Sequence, residues 1–283
     1  MLPGKTIYVD KRLKCYKMED NGGGERKMKF LAEFQVSKPE LPLEYRKSYI
    51  AFLKKCLSEV NEGTYFERYY EKGKEKPFTF AIHMQKPVFE KEKICLEGNK
   101  VSMTFSSADD MTSFLFFSAF LNQKNRSFPL ENGNYMILKN VVQKREEDVR
   151  GKQVLVHMLS PLCIREHTKE GNKDYYYSYA HPDFQRKAKT VIKRQLLAAG
   201  FSESLADDVQ IVPVNCKKII VKHYGNQLEC TLGDLLLKGD KAVLNYLVKA
   251  GVGSRSSAGF GLCSVLMDEG GENFENENTR GTI

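Results

Sequence analysis

Val101-Ser102-Met103-Thr104-Phe105-Ser106-Ser107-Ala108-Asp109-Asp110-Met111-Thr112-Ser113-Phe114-Leu115-Phe116-Phe117 changes its hydrophobic period midway. Val101, Met103 and Phe105 alternate with polar neighbours, which predicts a half-buried strand. Ser106 to Asp109 then offer capping side chains for a very apolar helix through Phe114, Leu115, Phe117, Phe120 and Leu121. A strand running straight into a helix excludes an all-α or all-β chain.

The same two periods alternate on either side of this junction. Met28, Phe30, Ala32, Phe34 and Val36 alternate with Lys29, Glu33 and Gln35, so this stretch reads as a strand. Pro39 and Pro42 end it. Tyr45, Tyr49, Ile50, Leu53, Cys56, Leu57 and Val60 then fall three and four apart, which predicts a helix over about 43–60 with one face on a sheet. Phe78, Phe80, Ile82 and Met84 alternate again, Glu97-Gly98-Asn99-Lys100 reads as a hairpin turn, and a strand over about 135–144 closes the set. The order is β-α-β-β-α-β, the split βαβ pattern of ferredoxin-like domains: an α+β unit with two helices on one face of a four-stranded sheet and the other face open.

After Gly151 the order recurs. Strands are expected at 154–164, 209–214, 219–224 and 260–266 and helices at about 182–199 and 240–249, with a hairpin from Gly225-Asn226 through 228–232 as a decoration. The expected organisation is therefore a flexible lead-in at 1–27, ferredoxin-like domains at 28–150 and 151–267, and an acidic tail at 268–283.

With 41% hydrophobic and 28% charged residues, the 283-residue chain has apolar material for packed cores, and general disorder is excluded. No run approaches the ~20 apolar residues that span a bilayer. The start, Met1-Leu2-Pro3-Gly4-Lys5, lacks the apolar run of a signal peptide, so a cytoplasmic protein without a membrane partner is expected. The seven cysteines are odd in number, scattered and never C-x-x-C, so reduced thiols are expected, and neither they nor the histidines have the spacing of a metal site. No metal or other cofactor is expected.

The net charge of +8 is unevenly spread. Residues 1–150 carry 27 basic against 21 acidic side chains, 151–267 carry 16 against 10, and 268–283 carry five acids and one base. A basic body with an acidic tail suits a polyanionic partner. The densest basic element is the predicted helix with Arg186, Lys187, Lys189, Lys193 and Arg194, whose apolar face (Phe184, Ala188, Val191, Ile192, Leu196) is separate and leaves the cations for phosphates. Lys217, Lys218 and Lys222 extend a possible basic track, and Tyr175-Tyr176-Tyr177 with Tyr179 could stack on bases or pack as a hairpin.

The sharpest motif is Gly251-Val252-Gly253-Ser254-Arg255-Ser256-Ser257-Ala258-Gly259-Phe260-Gly261. It reads either as a tight connection with Gly251 ending a helix, or as a phosphate cradle of N–H groups with Arg255. A dinucleotide fold is disfavoured, because there the glycines follow a strand and open a helix, whereas these follow a helix and open a strand.

The pattern G-h-G-x5-G-h-G (h, apolar) at Gly251, Val252, Gly253, Gly259, Phe260 and Gly261 resembles the C-terminal glycine-rich loop of the CRISPR-associated RAMP proteins. More narrowly, it is similar to the sixth Cas family, endoribonucleases that cut precursor CRISPR RNA within its repeats. Lys76-Pro77-Phe78-Thr79-Phe80 and Leu159-Ser160-Pro161-Leu162 resemble two further family segments. The resemblance implies metal-independent cleavage: the ribose 2′-OH attacks the adjacent phosphate, leaving a cyclic phosphate and a 5′-OH. It also implies CRISPR repeat RNA as partner, with other Cas effector subunits as further possible partners and a non-catalytic RNA-binding RAMP subunit as the alternative role.

The family's early histidine is missing: no histidine precedes His83. In its place the resemblance offers Lys76 for phosphate charge, Tyr69 or Tyr70 for positioning the 2′-OH or leaving group, His83 as an alternative acid or base, and Tyr49 in the first helix. It assigns RNA binding to the basic helix and lysines above and to Gly251, Gly253, Arg255, Gly259 and Gly261.

Overall fold

A computed structural model of the chain describes residues 29–70, 76–145 and 148–270. The expected lead-in and all of the acidic tail beyond Gly270 lie outside the described residues.

The first half runs β1 (Lys29–Val36), β2 (Glu40–Pro42), α1 (Tyr45–Ser58), α2 (Phe66–Tyr70), β3 (Phe78–Met84), β4 (Val88–Phe89), β5 (Lys93–Cys95), β6 (Lys100–Ser107), α3 (Asp110–Asn122), β7 (Ser127–Pro129) and β8 (Tyr135–Lys144). Its main sheet is antiparallel in the order β3-β6-β1-β8-β7. Period-two burial puts Phe30 opposite Phe105 and Phe105 opposite Phe80 on one face. There Phe30 and Phe105 stack with centroids 4.8 Å apart, and Phe52, Phe116 and Phe120 of α1 and α3 close over them. The Asp109 carboxylate accepts the Thr112 N–H at 2.9 Å and so starts α3 where the capping residues predicted.

The link from β3 to β6 departs from the expected hairpin. The fifteen residues between Met84 and Lys100 are too many for a tight turn, and they form β4 and β5, which join β2 in a small sheet of order β2-β5-β4.

The second half runs β9 (Gln153–Met158), β10 (Arg165–Thr168), β11 (Lys173–Tyr176), α4 (Phe184–Ala198), α5 (Glu203–Asp207), β12 (Gln210–His223), β13 (Asn226–Lys238), α6 (Lys241–Ala250) and β14 (Cys263–Asp268). Its antiparallel sheet has the order β12-β13-β9-β14. With helices α4 and α6 this is again β-α-β-β-α-β. The expected strands at 209–214 and 219–224 are one long strand, whose register shifts between Pro213 and Asn215. Proline has no N–H for the ladder, so the bulge reads in sequence as an end. The supposed decoration at 228–232 is the start of β13, the central strand that pairs with both β12 and β9. The strand expected over 154–164 stops at Met158, and β10 and β11 form a separate hairpin.

The face of the first sheet expected to stay open is covered over β3 and β6. Thr79, Ala81, Thr104 and Ser106 alternate with the core phenylalanines, yet all are buried, because α6 and the glycine loop pack on that side. A second contact seats the β12–β13 hairpin on α1: the Gly225 N–H donates to Glu44 Oε1 at 2.8 Å, and Lys47 lies over the Tyr224 ring. Among the described residues no helix is long and apolar enough to cross a membrane.

Candidate active site in the cleft between the two halves

A cavity of about 640 Å³ opens where the two halves meet. Lys76, leading into β3, lines it from the first half. Arg165 and His167 of β10, Arg194 of α4, and Ser254 and Arg255 of the glycine loop line it from the second. Four cationic side chains from four segments thus face one cleft, with no carboxylate among its described lining residues. Such a set concentrates positive potential and suits an anion.

One carboxylate just behind the lining organises much of it. Asp174 Oδ1 lies 2.8 Å from an Arg165 Nη and 2.9 Å from His167 Nδ1, while Oδ2 lies 3.3 Å from an Arg255 Nη and accepts the Tyr176 hydroxyl at 3.2 Å. Partial burial opposes ionisation of Asp174. The hydrogen bonds from Arg165 and His167 and the charge of Arg165 outweigh it and bring the carboxyl down to about 2. The ion pairs do not use up the guanidiniums: Nε of Arg165 and Nε of Arg255 are buried without a hydrogen-bond partner.

The loop itself is held from three directions. Gln195 of α4 donates its amide to the Gly251 carbonyl at 2.7 Å and accepts the Gly253 N–H at 3.0 Å. Arg46 of α1 donates to the Gly259 carbonyl at 3.1 Å with its guanidinium over the Phe260 ring, and Thr79 donates to the Phe260 carbonyl at 2.8 Å. The need for glycine is steric at two of these positions. A Cβ on Gly251 would sit 2.8 Å from Thr79 Cβ, and one on Gly259 2.7 Å from Phe80 Cε2, with φ of +90° and +84°.

Gly251, Gly253, Gly259 and Gly261 are buried, and the N–H groups of Val252, Gly253, Ser254, Gly259 and Gly261 are bonded within the protein. Gly251 and Gly259 therefore serve as a seam between the halves, and the part turned to the cleft is Gly253 to Ser257. Arg255 reaches it with φ of +61°, the left-handed region.

The other sites expected from sequence are spread out. Tyr49 is fully buried against Phe34, and burial raises its hydroxyl far above the usual phenol. Tyr69 is buried against Phe78 and Phe116 with its hydroxyl 2.8 Å from Thr112 Oγ1. Tyr70 is closer to the cleft: the Lys76 ammonium lies 5.7 Å from its ring centroid, and its hydroxyl is buried without a partner and pushed up by that burial. His83 lies on the face of β3 away from α1 and α3, the side on which α6 packs, with Nε2 3.1 Å from Thr104 Oγ1, and burial first, then Lys29, lower its pKa.

On α4 the cations divide. Arg186 pairs with Asp183, Lys187 with Glu166, and Lys193 with both Glu203 and Asp207, while Arg194 alone of this helix's cations lines the cleft and Lys189 is exposed. On β12, Lys218 and Lys222 share one face and Lys217 takes the other, all exposed, with Lys218 3.6 Å from Glu229. Arg165, His167, Gln195 and Asp174 were not singled out as site residues from sequence. Arg165-Glu166-His167-Thr168 is polar throughout, a local pattern that does not mark it as a site.

Residues 143–265 match the family described as "CRISPR associated protein Cas6, C-terminal", a span that includes the Arg165–His167 hairpin, Arg194 and the whole glycine loop. The second half of the chain carries the C-terminal domain of the Cas6 family. No curated protein matches it significantly in sequence.

Solved structures extend the fold likeness over both halves. A Cas6-related protein from Pyrococcus furiosus superposes with a TM-score of 0.73 at 15% identity, covering 86% of this chain and 99% of that one. A structure titled as an RAMP protein binding different RNA substrates gives 0.70 at 18% identity, over 85% and 100%. A Thermus thermophilus Cas6 product complex gives 0.61 at 19% identity, over 85% and 100%. At these identities the likeness establishes the double ferredoxin-like fold.

Proposed function

We propose that the chain binds CRISPR repeat RNA and cuts it in the cleft between its halves, by attack of a ribose 2′-OH on the adjacent phosphate with no metal in the step. Residues 28–150 and 151–267 act as the two ferredoxin-like units, and the strand of RNA lies against Ser254–Ser257 and α4. The observation that carries this reading is the convergence of Lys76, Arg165, Arg194 and Arg255 on one cavity, with no carboxylate among its described lining residues.

Phosphoryl transfer of this kind builds charge on the non-bridging oxygens, and preorganised cations stabilise it. Arg165 and Arg255 suit that part, since both line the cavity and Asp174 fixes both guanidiniums. Lys76 suits the leaving side. Burial first, then the charge of Lys54, lower its pKa, which brings its ammonium nearer to giving a proton to the departing 5′-oxygen. Tyr70 beside Lys76 is the tyrosine best placed to position the reacting groups, and His83 and Tyr69 lie farther within the sheet and core.

Labelled repeat RNA incubated with the protein and excess EDTA tests this. Expected products end in a 2′,3′-cyclic phosphate and a 5′-OH. Tight binding with no cutting would instead assign the chain to the non-catalytic RAMP subunits that hold CRISPR RNA.

A further inference from the structure

The first half supplies no histidine to the cleft, and the second half does. We infer that His167 is the general base of this site, taking the proton of the attacking 2′-OH, and that Asp174 is its positioning residue. This rests on the reading of the cleft as an RNA-cleaving site and assigns the group that starts its reaction.

Four observations converge on the pair. His167 lines the cavity that Lys76 enters from the opposite half. Its side chain is 40% exposed, so a ligand reaches the ring. Nδ1 is engaged by Asp174 at 2.9 Å, which leaves Nε2 as the nitrogen available to a ligand. The pair is braced: His167 faces Asp174 across the β10–β11 ladder, and Asp174 is tied in turn to Arg165, Arg255 and Tyr176.

The tautomer follows from the partner. Asp174 is ionised at neutral pH and can only accept, so Nδ1 of a neutral His167 carries the proton and Nε2 carries the lone pair. A carboxylate behind Nδ1 also stabilises the imidazolium that forms as Nε2 takes up a proton, the same division of labour as in other His–Asp pairs. His83 lacks both features: its Nε2 is within bonding reach of Thr104, and no carboxylate among the described residues is bonded to it. Asp174 lies against the His167 ring, and Arg165, Arg255, Lys76, Arg194 and Tyr246 line the same cavity.

The step balances without another reactant. His167 Nε2 takes the proton from the 2′-oxygen as the O2′–P bond forms. The P–O5′ bond breaks, and the 5′-oxygen takes a proton from the Lys76 ammonium. After product leaves, His167 gives its proton to solvent and Lys76 regains one.

Single-turnover cutting of labelled repeat RNA over pH 5–9, compared with binding of the all-2′-deoxy form of the same sequence, tests the assignment. Loss of a general base predicts a rate about 100-fold lower or more for His167→Ala and His167→Gln, with deoxy-repeat binding within about threefold of wild type. Added imidazole should restore cutting to His167→Ala and not to His167→Gln, whose side chain fills the space. Asp174→Asn should cut slowly, with the rising limb of its pH–rate profile displaced, a change that lost packing alone would not produce. Cutting by both His167 variants within threefold of wild type overturns the base assignment and leaves the endoribonuclease reading standing. A wild-type protein that binds the repeat and never cuts it overturns both.

Discussion

The Thr79 hydroxyl donates to the Phe260 carbonyl at 2.8 Å, with both residues fully buried, and so bonds a strand of the first sheet to the glycine loop of the second half. The cleft depends on contacts of this kind, because Lys76 precedes Thr79 by three residues and Arg255 precedes Phe260 by five. A change in how the loop sits on β3 alters the spacing of the cations that line the site.

Thr79→Val keeps the shape of the side chain and removes the donor. The Phe260 carbonyl is left buried and short of a partner, which costs about 1–3 kcal/mol. Thr79→Ser keeps the donor and should unfold closer to wild type in a urea titration, despite losing a methyl group.

Two glycines separate strain from contact. Gly200 has φ of +89° with nothing within 4 Å of a built Cβ, so Gly200→Ala should cost only the left-handed penalty of roughly 1–2 kcal/mol. Gly259→Ala adds overpacking against the Phe80 ring, about 1–3 kcal/mol more. Thermal unfolding of the two variants should therefore rank Gly259→Ala well below Gly200→Ala.

Salt dependence distinguishes cleft cations from paired ones. Lys76→Ala and Arg194→Ala should each reduce the slope of log K against log salt for single-stranded repeat RNA by about 0.7. Lys193 is held by Glu203 at 2.7 Å and Asp207 at 2.8 Å, so Lys193→Ala should leave the slope nearly unchanged. Equal slopes for all three variants would remove the cleft from the binding surface.

His223 makes stability pH-dependent. It is 1% exposed, both ring nitrogens lack partners, and burial first, then the charges of Arg255 and Arg46, lower its pKa to about 4. An unfolded histidine titrates near 6.5, so between those values the unfolded chain binds the extra proton. This contribution is fully present above about pH 6.5 and is lost as pH falls to about 4, a total on the order of 3 kcal/mol. In urea titrations at pH 7 and pH 4.5, His223→Phe should show a much smaller acid-side loss than wild type.

Local pattern carried the element order. The period change at Phe105–Asp109, the spacing of Tyr45 to Val60 and the glycine pattern at 251–261 are all readable within a few turns of chain. The misread segments were those where local signals mislead: Pro213 breaks a hydrogen-bond pattern without ending its strand, and β13 continues through Gly233, so its length was hidden. Of the site, the signals for Lys76, Arg194 and Arg255 were visible as cations near motifs. Lys187 and Lys193 looked the same on the helix, because their carboxylate partners lie 10 to 21 residues away.

The sequence by itself determined two β-α-β-β-α-β units, their apolar faces and a glycine loop before the last strand, because periodicity and backbone permissiveness are local properties. Only the tertiary structure decided that Gly251 and Gly259 pack against Thr79 and Phe80, and that Asp174 gathers Arg165, His167 and Arg255 at the cavity that Lys76 also lines. Charge pairing and cleft formation depend on which distant segments a fold brings together, and Lys76 and His167, 91 positions apart, line one cavity only because the two halves pack against each other.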